Sequence, residues 1–171
     1  MTKITDTARL NLRWAHELDA DFIHKLVNDP DWLRHIGDRF VKNKQDAIHF
    51  INEKIINSYH SNGFGLYVME QKSDAKPIGL CGLLKRPELP YVDIGYAMLP
   101  EYRGQGFTKE AVLSVLNWAK RTLAFNQVLA ITSPSNMPSI KLLESISFVL
   151  QKEIFFAEAN KPVLLFEKTL V

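Results

Sequence analysis

The chain has 171 residues, of which 46% are hydrophobic and 23% are charged, and its formal net charge is +2. This length predicts one domain covering 1–171, and the near-average composition argues against a disordered, collagen-like or coiled-coil protein. The small charge excess gives no basis for nucleic-acid binding, the single cysteine allows no internal disulfide, and no segment is typical of a signal peptide or membrane span, so we expect a cytoplasmic protein without a membrane partner.

The first half of the chain alternates between strand and helix periodicity. Polar and apolar residues alternate over Arg9–Arg13, which predicts a strand. Apolar residues at helical spacing predict helices over Glu17–Asn28 and Lys44–Tyr59. Three further segments return to a period of two, and their short polar connections predict an antiparallel meander. These segments are Phe64–Gln71, Ile78–Leu84 and Val92–Met98.

The second half of the chain changes period again. A helix is predicted over Lys109–Leu123, a short apolar strand over Val128–Thr132 and a short helix over Asn136–Ser145. Two last strands are predicted over Phe148–Phe156 and Val163–Leu170. The resulting order, β-αα-βββ-α-β-α-ββ, predicts an α+β fold in which one mixed sheet carries helices on its faces.

The most informative segment joins a strand end to a helix start through a turn with two glycines. Gly104 and Gly106 allow the backbone to approach a ligand closely. The helix that follows points its unpaired N–H groups and the positive end of its dipole into the turn. Arg103 can add a charge-assisted contact. Together these features are typical of a site for a phosphate or pyrophosphate group.

Two other phosphate-binding motifs fit this segment poorly. The P-loop string G-x-x-x-x-G-K-S/T is absent. The dinucleotide string G-x-G-x-x-G begins at Gly104, but Lys109 stands at its third glycine and no acidic residue ends the strand Val128–Thr132. On the motif alone, a glycine turn that binds nothing stays open as the alternative.

The residues around this turn resemble a known sequence signature. Ile94–Gly106 is similar to the acetyl-CoA signature of the GNAT superfamily of N-acetyltransferases, Q/R-x-x-G-x-G/A. Arg103, Gly106 and Thr108 stand at its three defined places, and Thr108 departs from the usual glycine or alanine.

The resemblance extends over nearly the whole chain. Thr7–Arg13 and Asn136–Phe148 are similar to segments of the RimJ/RimL-like branch, with Ser145 and Ser147 where that branch commonly has lysine and glycine. The resemblance implies a GNAT-like fold, in which one mixed, mostly antiparallel central sheet is flanked by helices. The element order predicted above is the order of that fold.

The resemblance also implies acetyl-CoA as co-substrate, without a metal, in a gap between two splayed strands. The strand ending at Met98 and Leu99 would pair with the pantetheine arm, and a backbone N–H there would support the oxyanion. Backbone N–H groups from Arg103 to Thr108 would cradle the pyrophosphate. The implied cofactor-binding residues are Met98, Leu99, Arg103, Gly104, Gln105, Gly106, Phe107, Thr108, Asn136 and Lys141.

The implied reaction is direct transfer of an acetyl group to an amine, by a monomer or a homodimer. Asp93 is the implied base, with an exposed strand residue as the alternative. Ser139 is the implied acid for the leaving thiolate, because Leu143 stands where many members have a tyrosine. Asn136 would bond the pantetheine, cap a helix, or both. Lys141 would reach a CoA phosphate or simply be solvated.

Three questions stay open at this stage. The acceptor is either a protein N-terminus or a small amine. Water, Tyr96 or Tyr102 could replace Ser139 as the proton source. The missing tyrosine and Thr108 also leave room for a second function, a non-catalytic CoA-binding module.

Overall fold

The computed structural model of the protein describes residues 1–171 and contains eight strands and six α-helices. The strands are β1 (Lys3–Asp6), β2 (Leu10–Arg13), β3 (Leu66–Gln71), β4 (Pro77–Leu84), β5 (Asp93–Met98), β6 (Gln127–Thr132), β7 (Val149–Phe156) and β8 (Lys161–Thr169). The helices are α1 (Ala20–Val27), α2 (Pro30–His35), α3 (Lys44–Phe50), α4 (Asn57–Asn62), α5 (Phe107–Thr122) and α6 (Met137–Ser145). A π-helical segment, Ile51–Ile56, joins α3 to α4 without a break.

All eight strands form one sheet in the order β1-β2-β3-β4-β5-β6-β8-β7. Neighbouring strands are antiparallel except for β5 and β6, which are parallel. The predicted α+β architecture, one mixed and mostly antiparallel sheet with helices around it, is therefore confirmed. None of the helices combines the length and apolar character that crossing a bilayer requires.

Two elements are missing from the order predicted above. Strand β1 lies at the sheet edge and has no fully buried residue, so it lacks the apolar alternation that predicts a strand. Helix α2 has only six residues, too few for helical periodicity to show. Its start is fixed by Pro30 in the first turn and by the Asp29 side chain, which accepts the N–H groups of Asp31 and Trp32 at 3.2 and 3.4 Å.

Helix α5 supplies the central packing of the core. Its apolar stripe includes the fully buried Ala111, Val115 and Ala119, and the helix packs against β1, β2, β4 and β5. It begins at Phe107, earlier than predicted, because Gly106 adopts a left-handed conformation with φ +82° that leads the chain directly into the helix.

One constraint of the sheet positions the site. Strands β5 and β6 are paired at a single position, where Asp93 lies opposite Leu129 and the Leu129 N–H donates to the Val92 carbonyl oxygen at 2.9 Å. Beyond this point β5 and β6 have no paired residues, whereas β6 is paired with β8 along its whole length. A gap therefore opens between the second halves of β5 and β6, and α6 packs beside it against β6.

A buried ion network ties the helical region to the sheet. Arg13, at the end of β2, is 4% exposed. Its guanidinium donates to both carboxylate oxygens of Asp19 at 2.9 Å and to the Glu70 carboxylate on β3 at 2.6 Å. Removing one member of such a buried network leaves the other charges without a partner.

We therefore expect Arg13→Met to lower the free energy of unfolding by about 3–5 kcal/mol, because Asp19 and Glu70 lose their counter-charge. Urea unfolding of the variant and the wild type measures the difference. The matched control is Lys44→Met, which breaks an exposed ion pair with Asp21 and should leave the midpoint nearly unchanged. Equal losses in the two variants would show that the buried network adds no stability.

Candidate active site

The glycine turn, residues 103–106, presents backbone donors at the start of α5. Gly104 and Gly106 have φ values of +73° and +82°, in the left-handed region. No side chain caps the helix, and its first intrahelical bond runs from the Glu110 N–H to the Gly106 carbonyl oxygen at 3.1 Å. The N–H groups of the first helical residues, Phe107 and Thr108 among them, therefore have no partner within the helix. Such a turn binds an anion well.

Arg9 holds the glycine turn in place. Its guanidinium donates to the Gln105 carbonyl oxygen at 3.0 Å and to the Glu110 carboxylate at 2.8 Å. It also lies over the Phe107 ring, 4.1 Å from the ring centroid. The Thr7 hydroxyl bonds to the same Glu110 carboxylate. The sequence of Thr7–Arg13 includes a predicted strand and resembles a family segment, but it does not indicate these contacts, because the partners lie 96 to 103 residues away along the chain.

The side chain of Arg103 corrects an expectation. Its guanidinium forms ion pairs with Asp29 at 2.6 Å and Asp31 at 2.7 Å, and it donates to the Met98 carbonyl oxygen at 2.9 and 3.1 Å. Its backbone N–H donates to the Pro100 carbonyl oxygen at 3.2 Å. Arg103 is therefore committed to holding the turn against α2 and the end of β5, and the free charge that was expected for a pyrophosphate is absent.

The backbone of β5 offers unpaired groups to the gap. The Leu99 N–H donates to the Ile78 carbonyl oxygen at 2.9 Å, so it is not available as the oxyanion donor that was expected. Opposite residues of an antiparallel pair alternate between bonded and non-bonded. The N–H groups of Tyr96 and Met98 therefore face away from β4, toward the gap. Of the two expected donors, Met98 keeps a free N–H.

Two polar side chains meet across the gap. The Ser139 hydroxyl, in the first turn of α6, lies 2.7 Å from the Tyr96 phenol oxygen on β5. Asn136 caps α6, because its side-chain oxygen accepts the Ser139 N–H at 3.3 Å, and its amide NH₂ remains free. Burial raises the pKa of Tyr96 to about 12, so the phenol is neutral at ordinary pH. Leu143 is completely buried and takes no part in the gap.

Asp93 lies at the closed end of the gap. Its side chain is 1% exposed, so the alternative interpretation of Asp93 as an exposed strand residue is wrong. The Arg86 Nε donates to both of its carboxylate oxygens at 3.1 Å, and Arg86 also pairs with Glu158 at 3.3 Å. Burial raises the pKa of Asp93 to about 6, although Arg86 acts in the opposite direction. Asp93 and Tyr96 are three residues apart on one strand, so their side chains point to opposite faces of the sheet. Their positions along the strand are about 10 Å apart.

The remaining expected residues lie around the glycine turn or on α6. The Gln105 side chain donates to the Glu101 carbonyl oxygen at 3.1 Å, which turns it back along the chain. Thr108 is half-buried in the first turn of α5, and Lys141 is exposed on α6 without an ion-pair partner. No three His, Cys, Asp or Glu side chains are grouped closely enough to hold a metal ion.

Comparison with known proteins decides the family. Residues 9–149 match the family model described as the acetyltransferase (GNAT) domain. The chain belongs to the GNAT family of acetyltransferases. A relative from Bacillus licheniformis named N-acetyltransferase p20 is 33% identical over 159 residues, which cover 91% of this chain and 86% of the relative.

Two solved structures illustrate the shared fold. A ribosomal α-N-protein acetyltransferase, RimL, in complex with coenzyme A aligns with a TM-score of 0.83 at 18% identity over 98% of both chains. The microcin C7 self-immunity acetyltransferase MccE, in complex with acetyl-CoA and AMP, aligns with a TM-score of 0.81 at 16% identity over 96% of this chain and 94% of that one. The GNAT resemblance of the sequence and the GNAT-like fold are confirmed, and the protein is an enzyme of the GNAT acetyltransferase type.

Proposed function

We propose that this acetyltransferase moves an acetyl group from acetyl-CoA directly to a primary amine. The observation that carries the proposal is the gap between β5 and β6, which leads to the glycine turn. Unpaired strand N–H groups suit the amide-bearing pantetheine arm, and the uncapped start of α5 suits a pyrophosphate. Acetyl-CoA would supply the acetyl group as an activated thioester.

Each implied binding residue has a place in this proposal. The proposed donors are the backbone N–H groups of residues 104–106 and of the first residues of α5, with the Met98 N–H and the Asn136 amide NH₂ for the pantetheine. Lys141 is an exposed cation for a CoA phosphate. Leu99 and Arg103 shape the site, since their N–H groups are already bonded. The side chain of Gln105 is likewise already bonded to the Glu101 carbonyl oxygen.

The reaction divides between the two faces of the sheet. The amine nitrogen forms a bond to the acetyl carbon, the thioester C–S bond breaks, the amine loses one proton and the CoA sulfur gains one. Ser139 is the donor to the sulfur, and Asp93 is the base on the opposite face. Asp93 is buried, bound to Arg86 and on the other face of the sheet, so it would accept the amine's proton only through a chain of several waters.

A base with a pKa of about 6 predicts the direction of the pH dependence. The base must be ionised, so kcat should rise with pH and level off above about 6. Asp93→Asn should remove this limb and lower kcat by about 10²–10⁴-fold, with little change in the dissociation constant of CoA. The pH–rate profiles of both proteins measure the effect. An identical acid limb in the variant would give Asp93 a purely structural role.

CoA binding tests the site directly, and two glycines make a matched pair. Gly106 and Gly63 have similar left-handed φ values of +82° and +78°, but Gly63 lies at the end of α4. Valine should strain the backbone comparably at either position, by about 1–2 kcal/mol. Only Gly106→Val should weaken CoA binding, by tenfold or more, because its Cβ would lie 3.4 Å from the Arg9 Nη2 and would disturb the turn that presents the N–H groups. Calorimetric titration with CoA measures the affinities.

CoA should also raise the melting temperature of the wild type, because a ligand that binds only the native state stabilises it. NAD is the control ligand and should give no shift. If millimolar CoA produces no shift in the wild type, the proposed function is wrong. If Gly106→Val and Gly63→Val bind CoA equally well, the glycine turn is not the pyrophosphate site.

Ser139 and Asn136 should separate kinetically. Ser139→Ala removes the donor to the leaving sulfur, so kcat should fall roughly tenfold to a few hundredfold while KM for acetyl-CoA stays nearly constant. Asn136→Ala removes a pantetheine contact and the α6 cap, so KM for acetyl-CoA should rise, and the lost cap alone costs about 1 kcal/mol of stability. Steady-state thiol release measures both. Unchanged kcat in Ser139→Ala would point to water, Tyr96 or Tyr102 as the proton source.

The acceptor is proposed as a protein N-terminus or a small amine, acetylated in the cytoplasm where acetyl-CoA is made. A panel of N-terminal peptides, polyamines, aminoglycosides and free amino acids, assayed for thiol release from acetyl-CoA, identifies the class. CoA binding without thiol release for any amine would favour the non-catalytic CoA-binding module instead.

A further inference from the structure

The side-chain hydroxyls of Tyr96 and Ser139 come from different elements and form a hydrogen bond with each other across the gap. Tyr96 comes from β5 and Ser139 from α6, and their oxygens are 2.7 Å apart. We infer that Tyr96 is a positioning residue. It does not react itself, but it directs the hydrogen of the Ser139 hydroxyl toward the CoA sulfur. This inference rests on the proposed function and assigns a role to a residue that stands at none of the three defined places of the family signature.

The direction of the bond follows from donor strength. A phenol is a stronger acid than an alkyl hydroxyl, so the Tyr96 O–H donates and the Ser139 oxygen accepts. The hydrogen of Ser139 is then free to point into the gap. Burial raises the pKa of Tyr96 to about 12, so the phenol keeps the hydrogen that it donates at ordinary pH.

Ser139 needs such a partner because a serine near a helix start has competing bonds. Its hydroxyl can rotate and donate to a carbonyl oxygen of the preceding turn. The Asn136 oxygen already accepts the Ser139 backbone N–H, so it fixes the backbone but not the hydroxyl. The Tyr96 O–H donates to the Ser139 oxygen and thereby fixes one orientation of the Ser139 hydroxyl. A hydroxyl that accepts a hydrogen bond is also a better donor, since bonded chains polarise one another.

The Tyr96 side chain belongs to a row of side chains that crosses three strands. Tyr96 lies directly opposite Cys81 on β4, and Cys81 lies directly opposite Tyr67 on β3. Cys81 is completely buried, and burial raises the pKa of its thiol, so the neighbour that faces Tyr96 stays neutral. The other two side chains of the row lie on one side of Tyr96, and the Ser139 hydroxyl lies 2.7 Å from its phenol oxygen.

The same row supplies a matched control for the experiment. Tyr67 is 1% exposed, and burial raises its pKa to about 12, as for Tyr96. Tyr67 makes no contact with Ser139. Tyr67 is buried in the core and Tyr96 is partly buried beside it. Tyr67→Phe and Tyr96→Phe each remove one hydroxyl from this row, and only Tyr96→Phe removes a hydroxyl that bonds to Ser139.

The decisive measurement is the pKa of the CoA thiol in the bound complex, followed by the ultraviolet absorbance of the thiolate. A hydrogen bond from Ser139 favours the thiolate, so the bound thiol should have a lower pKa than free CoA. Tyr96→Phe should raise it toward the free value, and Tyr67→Phe should not. In a Ser139→Ala background, Tyr96→Phe should not change the thiol pKa further, because the hydroxyl through which Tyr96 acts on the sulfur is already absent.

Turnover gives the second readout. Tyr96→Phe should lower kcat roughly three- to tenfold, the range of one neutral hydrogen bond, with KM for acetyl-CoA unchanged. Ser139→Thr, which keeps a hydroxyl, should retain the sensitivity to Tyr96→Phe that Ser139→Ala loses.

Two results overturn the inference while leaving the proposed function intact. If CoA binds and its thiol pKa is the same in the wild type and in Tyr96→Phe, Tyr96 has only a packing role. If Tyr96→Phe still shifts the thiol pKa in the Ser139→Ala background, Tyr96 acts on the sulfur directly. Failure of the wild type to bind CoA would instead overturn the proposed function and this inference together.

Discussion

The single pairing between β5 and β6 is the constraint on which the site depends. A parallel pair normally continues its hydrogen bonds along both strands. Here pairing stops after Asp93 and Leu129, while β4 and β8 hold the outer sides of the two strands. The strands are thus held apart by their other neighbours, and their inner backbone groups have no protein partner. An unmet buried donor costs about 1–3 kcal/mol, so the gap favours an extended ligand with its own amides.

Charges outside the gap maintain its shape. Arg103 fastens the glycine turn to Asp29 and Asp31, and Arg9 fastens the other side of the turn to Glu110. Both guanidiniums are therefore used in structure, and the turn presents backbone N–H groups in place of side-chain charge. This arrangement suits a ligand recognised by the direction of its hydrogen bonds, since N–H groups on a rigid turn fix geometry better than flexible cations do.

The sequence predicts those features of the site that depend on contacts between residues close together in the chain. The glycine turn, the helix after it and the capping role of Asn136 all depend on residues within a few positions, and the sequence indicates them. The sequence could not reveal that Arg103 is bound by α2, that Asp93 is buried against Arg86, or that Tyr96 meets Ser139. Each of these depends on a partner brought close only by the folded sheet. The π-helical segment and the short α2 were equally invisible to a search for regular periodicity.

The burial of Leu143 has a consequence for substitution at this position. The GNAT resemblance implies a tyrosine at this position in many members, but here the leucine has no exposed surface and belongs to the core. A single change to tyrosine would insert a larger, polar side chain into packed apolar surroundings, and overpacking of this kind costs about 1–3 kcal/mol or more. A hydroxyl on α6 therefore cannot be moved from Ser139 to position 143 without a cost in packing. A tyrosine at position 143 would therefore need compensating changes among the core residues that surround Leu143.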